Sequence, residues 1–316
     1  MSSAPPSSSP VAALPRPVVY GGVVVGVVAV SSAAILIRLA DAPALAVAFW
    51  RCALGALALA PFALRAARRL PPLDGGQRRQ LLGSGALLAL HFALFISSLD
   101  YTTVASSVLF VAMSPLFVGV GAALLLSEPP SRRTWAGIAL AGLGAAVAGL
   151  SGLTGAEAGT GRGTAGDLMA LGGAVAVAGY LLVGRSARRR LPVSVYAAVV
   201  YAVAAVLLLA ACLATGAPLG LRGDGAYDAA TWAAIAALVA GPQLLGHTVF
   251  NGLLSTLSAT AVAVAVLAEP VGAGLLAYVV FAEVPGALFI AAAPVVLAGV
   301  YLASTPSRAE RAAAAG

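Results

Sequence analysis

Ten long apolar segments, separated by short polar stretches, account for most of this sequence. An α-helix needs roughly 20 apolar residues to cross the ~30 Å hydrocarbon core of a bilayer, and each segment approaches that length. We therefore predict an all-α membrane protein with ten transmembrane helices. The boundary between the eighth and ninth helices is the least clearly marked, because no charged residue separates them. The predicted helices lie at about residues 18–38, 43–64, 80–99, 104–126, 134–151, 167–186, 192–214, 230–251, 258–281 and 285–304.

The composition excludes a soluble fold. Of the 316 residues, 61% are hydrophobic and only 9% are charged, whereas a soluble domain carries roughly 25% charged residues. The chain is long enough for two soluble domains, but it has too few charges to cover their surfaces. The pI near 10 does not indicate nucleic-acid binding, because that function needs basic residues gathered on one exposed face.

The arginines predict the orientation of the chain in the membrane. All 18 basic residues are arginine, which together with the abundant alanine and glycine is typical of a GC-rich bacterial genome. Cytoplasmic loops carry an excess of basic residues. If the N-terminus is cytoplasmic, only Arg38, Arg162 and Arg222 fall outside the cell. We therefore predict a multi-pass protein of the cell (inner or plasma) membrane with both termini in the cytoplasm. The fourteen cytoplasmic arginines are then Arg16, Arg65, Arg68, Arg69, Arg78, Arg79, Arg132, Arg133, Arg185, Arg188, Arg189, Arg190, Arg308 and Arg311.

The ends of the chain and its two cysteines suggest no further chemistry. Residues 1–17 are rich in Ser, Pro and Ala, and we expect a disordered cytoplasmic tail there, followed by an uncleaved first helix. Residues 305–316 are expected to form a second cytoplasmic tail. Cys52 and Cys212 lie inside apolar segments without a CxxC pattern, so neither a disulfide framework nor a thiolate metal site is predicted.

The two halves of the chain resemble each other. Residues 99–128 align without a gap with residues 254–283, at a constant offset of 155. This alignment pairs Leu99 with Leu254, Pro115 with Pro270, Gly119 with Gly274 and Glu128 with Glu283.

The repeated unit contains five helices, and its two copies are expected at residues 18–152 and 165–304. Because five is an odd number, the second copy enters the membrane in the opposite direction. Inverted repeats of this kind recur in secondary transporters, where they allow conformations that open to opposite sides.

Several motifs resemble the EamA-like families of the drug/metabolite transporter superfamily, over residues 18–304. The resemblance implies ten helices in two five-helix repeats. It also implies export of amino acids, drugs or other metabolites, but it does not indicate which of these is the substrate. The repeats differ at one place, because Ser114 precedes the first proline where Glu269 precedes the second, so any site is asymmetric. The motifs are AFWR (48–51), SLDYTTVASS (98–107), SPLF (114–117), Glu128 followed by WAG (135–137), GDLMAL (166–171), GHTVFN (246–251) and AEPVGAGLLAYVVFAE (268–283).

Arg51 and Glu269 are charged residues near the middle of predicted helices. Such a charge costs roughly 2.5–3.5 kcal/mol on a lipid-facing helix, so each should face protein or a wet cavity. In a functional interpretation, Arg51 binds a substrate carboxylate and Glu269 accepts an ammonium group or a proton. In a structural interpretation, the two form a fixed ion pair between the second and ninth helices. Both interpretations stay open.

Pro115 and Pro270 lie mid-helix at matched positions of the two halves. Each removes a backbone donor and disturbs the carbonyl four residues earlier. Interrupted helices at corresponding places indicate a central binding site, where the prolines would act as hinges. A passive kink that improves packing is the alternative.

Other polar and aromatic residues are candidates for the lining of this site. They are Trp50, His91, Ser114, Tyr180, His247 and Asn251. The alternative for the histidines and Asn251 is hydrogen bonding between helices, worth about 0.6 kcal/mol each, and for the aromatic residues it is packing. No further ligand at suitable spacing supports a zinc site, and no Walker motif supports ATP binding, so no metal or cofactor is predicted.

The leading functional prediction is a secondary transporter in the lipid bilayer that exports a small metabolite, such as an amino acid or a drug-like compound, by alternating access between the two inverted repeats. The sequence leaves open whether Glu269 couples transport to protons, and whether the protein is a monomer or a homodimer. A non-transporting membrane subunit or scaffold is one alternative. The other is an intramembrane enzyme using Ser97 or Ser98 with His91, although neither G-x-S-x-G nor H-E-x-x-H is present.

Overall fold

A computed structural model describes residues 14–102, 104–150, 161–221, 223–281 and 287–304, and every regular element within these ranges is helical. The predicted tails fall largely outside the described residues, as does Glu283. The α-helices are α1 Arg16–Ser31, α2 Ala33–Leu39, α3 Ala44–Ala67, α4 Gly75–Ser98, α5 Val104–Val111, α6 Ser114–Leu125, α7 Arg132–Leu150, α8 Gly161–Arg188, α9 Val193–Thr215, α10 Ala229–Leu238, α11 Val249–Leu253, α12 Ala259–Val266, α13 Glu269–Phe281 and α14 Ala287–Ser304.

Seven helical segments of the described chain are long and apolar enough to cross a membrane. The prediction of an all-α, multi-pass membrane protein is therefore confirmed, while the count of ten stays a prediction. Ser114–Leu125 and Ile290–Ala303 are shorter apolar helices. The seven segments are Arg16–Leu39, Ala44–Ala67, Gly75–Ser98, Gly163–Arg188, Val193–Thr215, Ala229–Leu253 and Ala259–Val280.

The helices begin where local sequence favours a helix start. Pro43 and Pro192 precede α3 and α9, and their fixed φ suits the residue before a helix. At α4, Asp74 and Gln77 form a capping box, in which each side chain accepts a hydrogen bond from the other residue's backbone. At α10, the backbone N–H of Thr231 donates to the Asp228 carboxylate at 2.7 Å, and this hydrogen bond lowers the pKa of Asp228.

Two helical segments are interrupted at equivalent places in the two halves. The first breaks between Val111 and Ser114, and the second breaks between Val266 and Glu269, so both breaks occupy the same repeat positions. The chain tightens there into i→i+3 hydrogen bonds, such as Leu267 N–H to the Val264 carbonyl at 3.0 Å. A proline follows each break by one helical residue, and its missing N–H explains why the α-helical ladder does not continue.

A third interruption lies in the segment that the sequence predicts as one continuous helix at 230–251. Residues Val239–Thr248 form a π-helix, with Pro242 inside it. The carbonyl of Gln243 accepts from the Thr248 hydroxyl at 3.0 Å and from the Tyr201 hydroxyl at 3.3 Å. Side chains thus hydrogen-bond this part of the widened turn. π-Helical segments occur frequently at functional sites.

The helix contacts follow the repeat. The α7 helix packs along α14 and α3 packs along α9, so each of these pairs joins equivalent helices of the two halves. The α4 helix packs on α8, and the repeat-related pair, the π-helix and α1, is also in contact. Exchanging the two halves therefore reproduces these contacts, as a pseudo-two-fold arrangement requires.

The contact between α7 and α14 depends on small residues, and Gly137 offers a test of it. A Cβ atom at Gly137 would lie 2.7 Å from the backbone nitrogen of Ala303 and 2.7 Å from the carbonyl oxygen of Gly299, both on α14. We expect Gly137→Ala to lower stability by about 1–3 kcal/mol, because backbone atoms cannot move aside cheaply. Thermal unfolding of the purified protein in detergent measures this effect.

Gly142 on the same helix provides the matched control. A Cβ atom there meets nothing within 4 Å, so Gly142→Ala should raise stability by up to about 1 kcal/mol through helix propensity. Equal shifts for the two variants would contradict the close approach of α7 and α14.

Candidate functional site in a cavity between the two halves

A cavity of about 70 Å³ lies where the two interrupted segments meet. A cavity of this size holds on the order of five waters or a small organic molecule. Val111 and Ser114 line it from the first interruption, and Val266, Glu269 and Pro270 line it from the second. The breaks in the helices therefore form part of the cavity wall.

Most of the candidate residues named from the sequence meet in this cavity. They are Arg51, His91, Ser114, Tyr180, His247, Asn251, Glu269 and Pro270. Pro115 is buried beside Ser114 and is not itself in the lining. Trp50 lies apart from the cavity, where its Nε1 donates to the Leu219 carbonyl at 3.0 Å and its ring packs on Trp232 at 5.1 Å. A binding role for Trp50 stays a prediction from sequence.

Arg51 is only 1% exposed, and its partner is neutral. Its Nε donates to the side-chain oxygen of Gln243 at 2.9 Å, and its guanidinium carbon lies 3.9 Å from the centre of the Phe92 ring. Its Nη2 has no hydrogen-bond partner. A buried charge is costly unless it is paired, and the aromatic face supplies only partial compensation.

Glu269 begins α13 and lines the same cavity as Arg51. A carboxylate is stabilised at a helix N-terminus by the helix dipole. The fixed ion pair of the structural interpretation is not among the ion pairs given for the described residues, in which Glu128 pairs with Arg185 and Arg189. The structure thus brings the two charges to one cavity without joining them directly.

The two histidines are held by different contacts. His91 Nδ1 lies 2.9 Å from the carbonyl of Gly173, and since a carbonyl only accepts, Nδ1 is the donor. The other ring nitrogen of neutral His91 is then an acceptor. The His91 ring stacks on Phe95 at 5.8 Å, and the His247 ring meets the edge of Phe92 at 5.2 Å.

Tyr180 and Asn251 form a second polar contact in the lining. The hydroxyl of Tyr180 donates to Oδ1 of Asn251 at 2.5 Å. Nδ2 of Asn251 is buried and has no partner. The amide is therefore oriented with its oxygen occupied and its nitrogen available.

Gln243 is the important residue that sequence reasoning missed. In the sequence it was only a polar residue near His247, yet it is fully buried and holds Arg51. The available signal was Pro242, because a proline inside an apolar segment indicates an interruption where polar groups gather.

The serines considered for an enzyme are not joined to His91. The hydroxyl of Ser98 donates to the Phe95 carbonyl at 2.7 Å and lies 2.6 Å from the Ser107 hydroxyl, while His91 contacts Gly173. Within the described residues, no group of three or more His, Cys, Asp or Glu side chains could hold a metal ion.

Comparison with known proteins identifies the family. The EamA-like transporter family matches residues 18–150 and, a second time, residues 164–305. The chain belongs to the EamA-like transporter family. This EamA-like protein is thus a multi-pass membrane protein of a transporter family rather than of an enzyme family, which indicates a small-molecule substrate.

One crystal structure of a protein resembles this EamA-like chain over nearly its whole length. The two share 19% sequence identity with a TM-score of 0.73, and the match covers 95% of this chain and 99% of the other. At that identity the likeness shows the fold alone. No curated protein matches the chain.

Proposed function

We propose that this protein is a secondary transporter that exports a small metabolite, such as an amino acid or a drug-like compound. The observation that carries the proposal is the cavity between the two halves, which both interrupted segments line and into whose wall Arg51 and Glu269 are built. Paired discontinuous helices around a central site at the interface of the repeats are typical of secondary transporters built from repeats.

Transport would proceed by alternating access. Ten helices, arranged as inverted repeats at residues 18–152 and 165–304, would tilt relative to each other and open the cavity to one side at a time. Pro115 and Pro270 would act as hinges, because a helix without its full hydrogen-bond ladder bends at low cost. The exchange symmetry of the helix contacts supports two related conformations.

The charged cavity residues would bind the substrate. Arg51 would hold an anionic group, and Glu269 would accept an ammonium group or a proton. The remaining polar lining residues (His91, Ser114, Tyr180, His247 and Asn251) would supply hydrogen bonds. The protein would act in the cell membrane as a monomer or homodimer.

Flux of labelled amino acids and other metabolites into proteoliposomes tests the proposal. We expect uptake that saturates with concentration and exceeds the leak of protein-free liposomes. A protein that reconstitutes in folded form, yet moves no member of a broad panel, would instead support a non-transporting membrane subunit.

The proposed topology gives a separate prediction. Reporter fusions at residues 70–76 and at the C-terminus should report the cytoplasm, and fusions at residues 154–162 and 220–226 should report the outside. The physical reason is the concentration of arginine in the segments assigned to the cytoplasm. An outside signal from the C-terminal fusion would refute the ten-helix count or its orientation.

A further inference from the structure

Two residues of the cavity lining carry donors that the protein itself does not satisfy. Among the described residues, the buried side-chain atoms without a partner are Arg51 Nη2, Gln243 Nε2, Asn251 Nδ2 and Thr260 Oγ1. Arg51 and Asn251 both line the cavity. Native proteins satisfy the great majority of buried polar groups, so two lining residues with unpartnered N–H donors indicate a place in this cavity for a group that accepts hydrogen bonds.

Gln243 holds the Arg51 side chain without neutralising its charge. The amide oxygen accepts from Arg51 Nε at 2.9 Å, but an amide carries no charge. Gly55 lies one turn after Arg51, and a Cβ atom there would lie 2.9 Å from Cγ of Gln243. The absence of a side chain at residue 55 is what lets Gln243 approach α3. The π-helix brings Gln243 to this position, and Tyr201 and Thr248 bind its carbonyl.

Tyr180 has the equivalent effect on Asn251. Its hydroxyl occupies the acceptor of the Asn251 amide, so the free end of that amide is a donor. Arg188 Nε holds the Asn251 carbonyl at 2.8 Å and fixes the backbone of the same residue. The side chains of Arg51 and Asn251 are thus each hydrogen-bonded to a neutral side chain, and each keeps an N–H donor without a partner.

We propose that Arg51 and Asn251 form a subsite for the carboxylate of the transported molecule, and that Gln243 is the positioning residue that makes this subsite select an anion. The inference rests on the proposed transport function and deepens it. An acidic residue in place of Gln243 would occupy the guanidinium itself, and a ligand anion would then meet a neutral pair. The amide instead fixes the geometry of the guanidinium and leaves its positive charge for the ligand.

Gln243→Glu tests the proposal, because it changes charge and almost nothing else in size. At pH 7.5 the introduced carboxylate should pair with Arg51, so the variant should unfold a few degrees higher than wild type without any ligand. This gain depends on the ionised carboxylate, so it should persist from pH 8 to pH 5.5 and be lost only below about pH 4.3, where the carboxyl takes up a proton.

The same variant should lose transport of carboxylates. We expect flux of L-alanine and L-lactate to fall by about 100-fold throughout pH 5.5–8, since the introduced carboxylate stays ionised beside Arg51 and the buried cation is no longer available. Wild type is measured over the same pH range, because other titratable or charged groups surround the guanidinium. These groups are Cys52, His91, Tyr201, His247 and Glu269.

Gln77→Glu is the matched control. Gln77 lies in the capping box at the start of α4, where its Oε1 accepts from the Asp74 N–H at 3.0 Å, and a carboxylate can accept the same hydrogen bond. This variant should keep wild-type flux. It should not show the gain in stability that pairing with Arg51 is expected to give Gln243→Glu.

Matched ligand pairs test the subsite on the wild-type protein. L-alanine and L-lactate should raise the unfolding temperature, whereas L-alaninamide and L-lactamide, in which a neutral amide replaces the carboxylate, should not. If only L-lactate raises the unfolding temperature, the subsite takes carboxylates that lack an ammonium group. If both acids raise it, the subsite recognises the carboxylate whatever group lies beside it. Equal effects of acids and amides, or no effect of either acid, would overturn the proposal.

The outcomes separate this proposal from the proposed function. If Gln243→Glu is less stable than wild type at every pH, or transports like wild type, Gln243 has a structural role and the inference is wrong. If wild type moves no solute, the transport function fails. The ligand-free stability comparison still decides whether the charge of Arg51 is left unneutralised.

Discussion

Arg51→Met should reduce the transport of carboxylate-bearing solutes by about 100-fold or more while leaving the protein folded. Methionine retains much of the length of the side chain and can pack against Phe92, which now lies 3.9 Å from the guanidinium. Removing one partner of a buried, hydrogen-bonded charge pair costs roughly 2–5 kcal/mol of binding, which corresponds to about 30-fold to several thousand-fold in affinity. The concentration dependence of flux in proteoliposomes measures the loss.

Stability separates this effect from a failure to fold. Arg51 is buried beside a neutral amide, so Arg51→Met removes an uncompensated charge and should not lower the unfolding temperature. Arg68→Met, at the exposed end of α3, is the control for loss of an arginine and should transport normally. Retention of carboxylate transport by Arg51→Met would exclude Arg51 from substrate binding. Arg51→Lys should be intermediate, because lysine keeps the charge but lacks the planar fork of donors.

Glu269→Gln should abolish the pH dependence of transport between pH 5.5 and pH 8. Glu269 lies at the interruption between α12 and α13 and lines the cavity, whereas Ser114 occupies the repeat-related position. A carboxyl group can take up and release a proton as the cavity opens to each side, and an amide of the same shape cannot. Flux measured with and without an imposed pH gradient reports the difference.

Asp74→Asn is the control for loss of a carboxylate elsewhere. Asparagine also caps helices well, so this variant should fold and keep the wild-type pH profile. Normal pH-dependent transport by Glu269→Gln would show that the proton-coupling role is wrong. If Glu269→Gln does not fold, and Arg51→Ala with Glu269→Ala together restores folding, the two residues form a structural pair.

The sequence by itself determined the class of the protein, for a simple physical reason. A bilayer requires long apolar helices, and each such helix is a run of consecutive apolar residues that can be recognised in the sequence. The all-α membrane fold and the EamA-like family could therefore be predicted. The mid-helix charges were equally informative. Arg51 and Glu269 could be expected to face a cavity because a charge facing lipid is too costly, and both line the same one.

The tertiary structure alone decided which partners these residues have. Arg51 and Gln243 are 192 residues apart, and only the packing of the π-helix against α3 brings them within 2.9 Å. Packing likewise holds Trp50 on Trp232, away from the cavity, and keeps Glu269 out of a direct ion pair with Arg51. Hydropathy and repeats indicate the environment of a residue, because the type of a residue must suit the lipid, protein or cavity that it faces. A hydrogen bond depends on the relative positions of two helices, which no single stretch of sequence specifies.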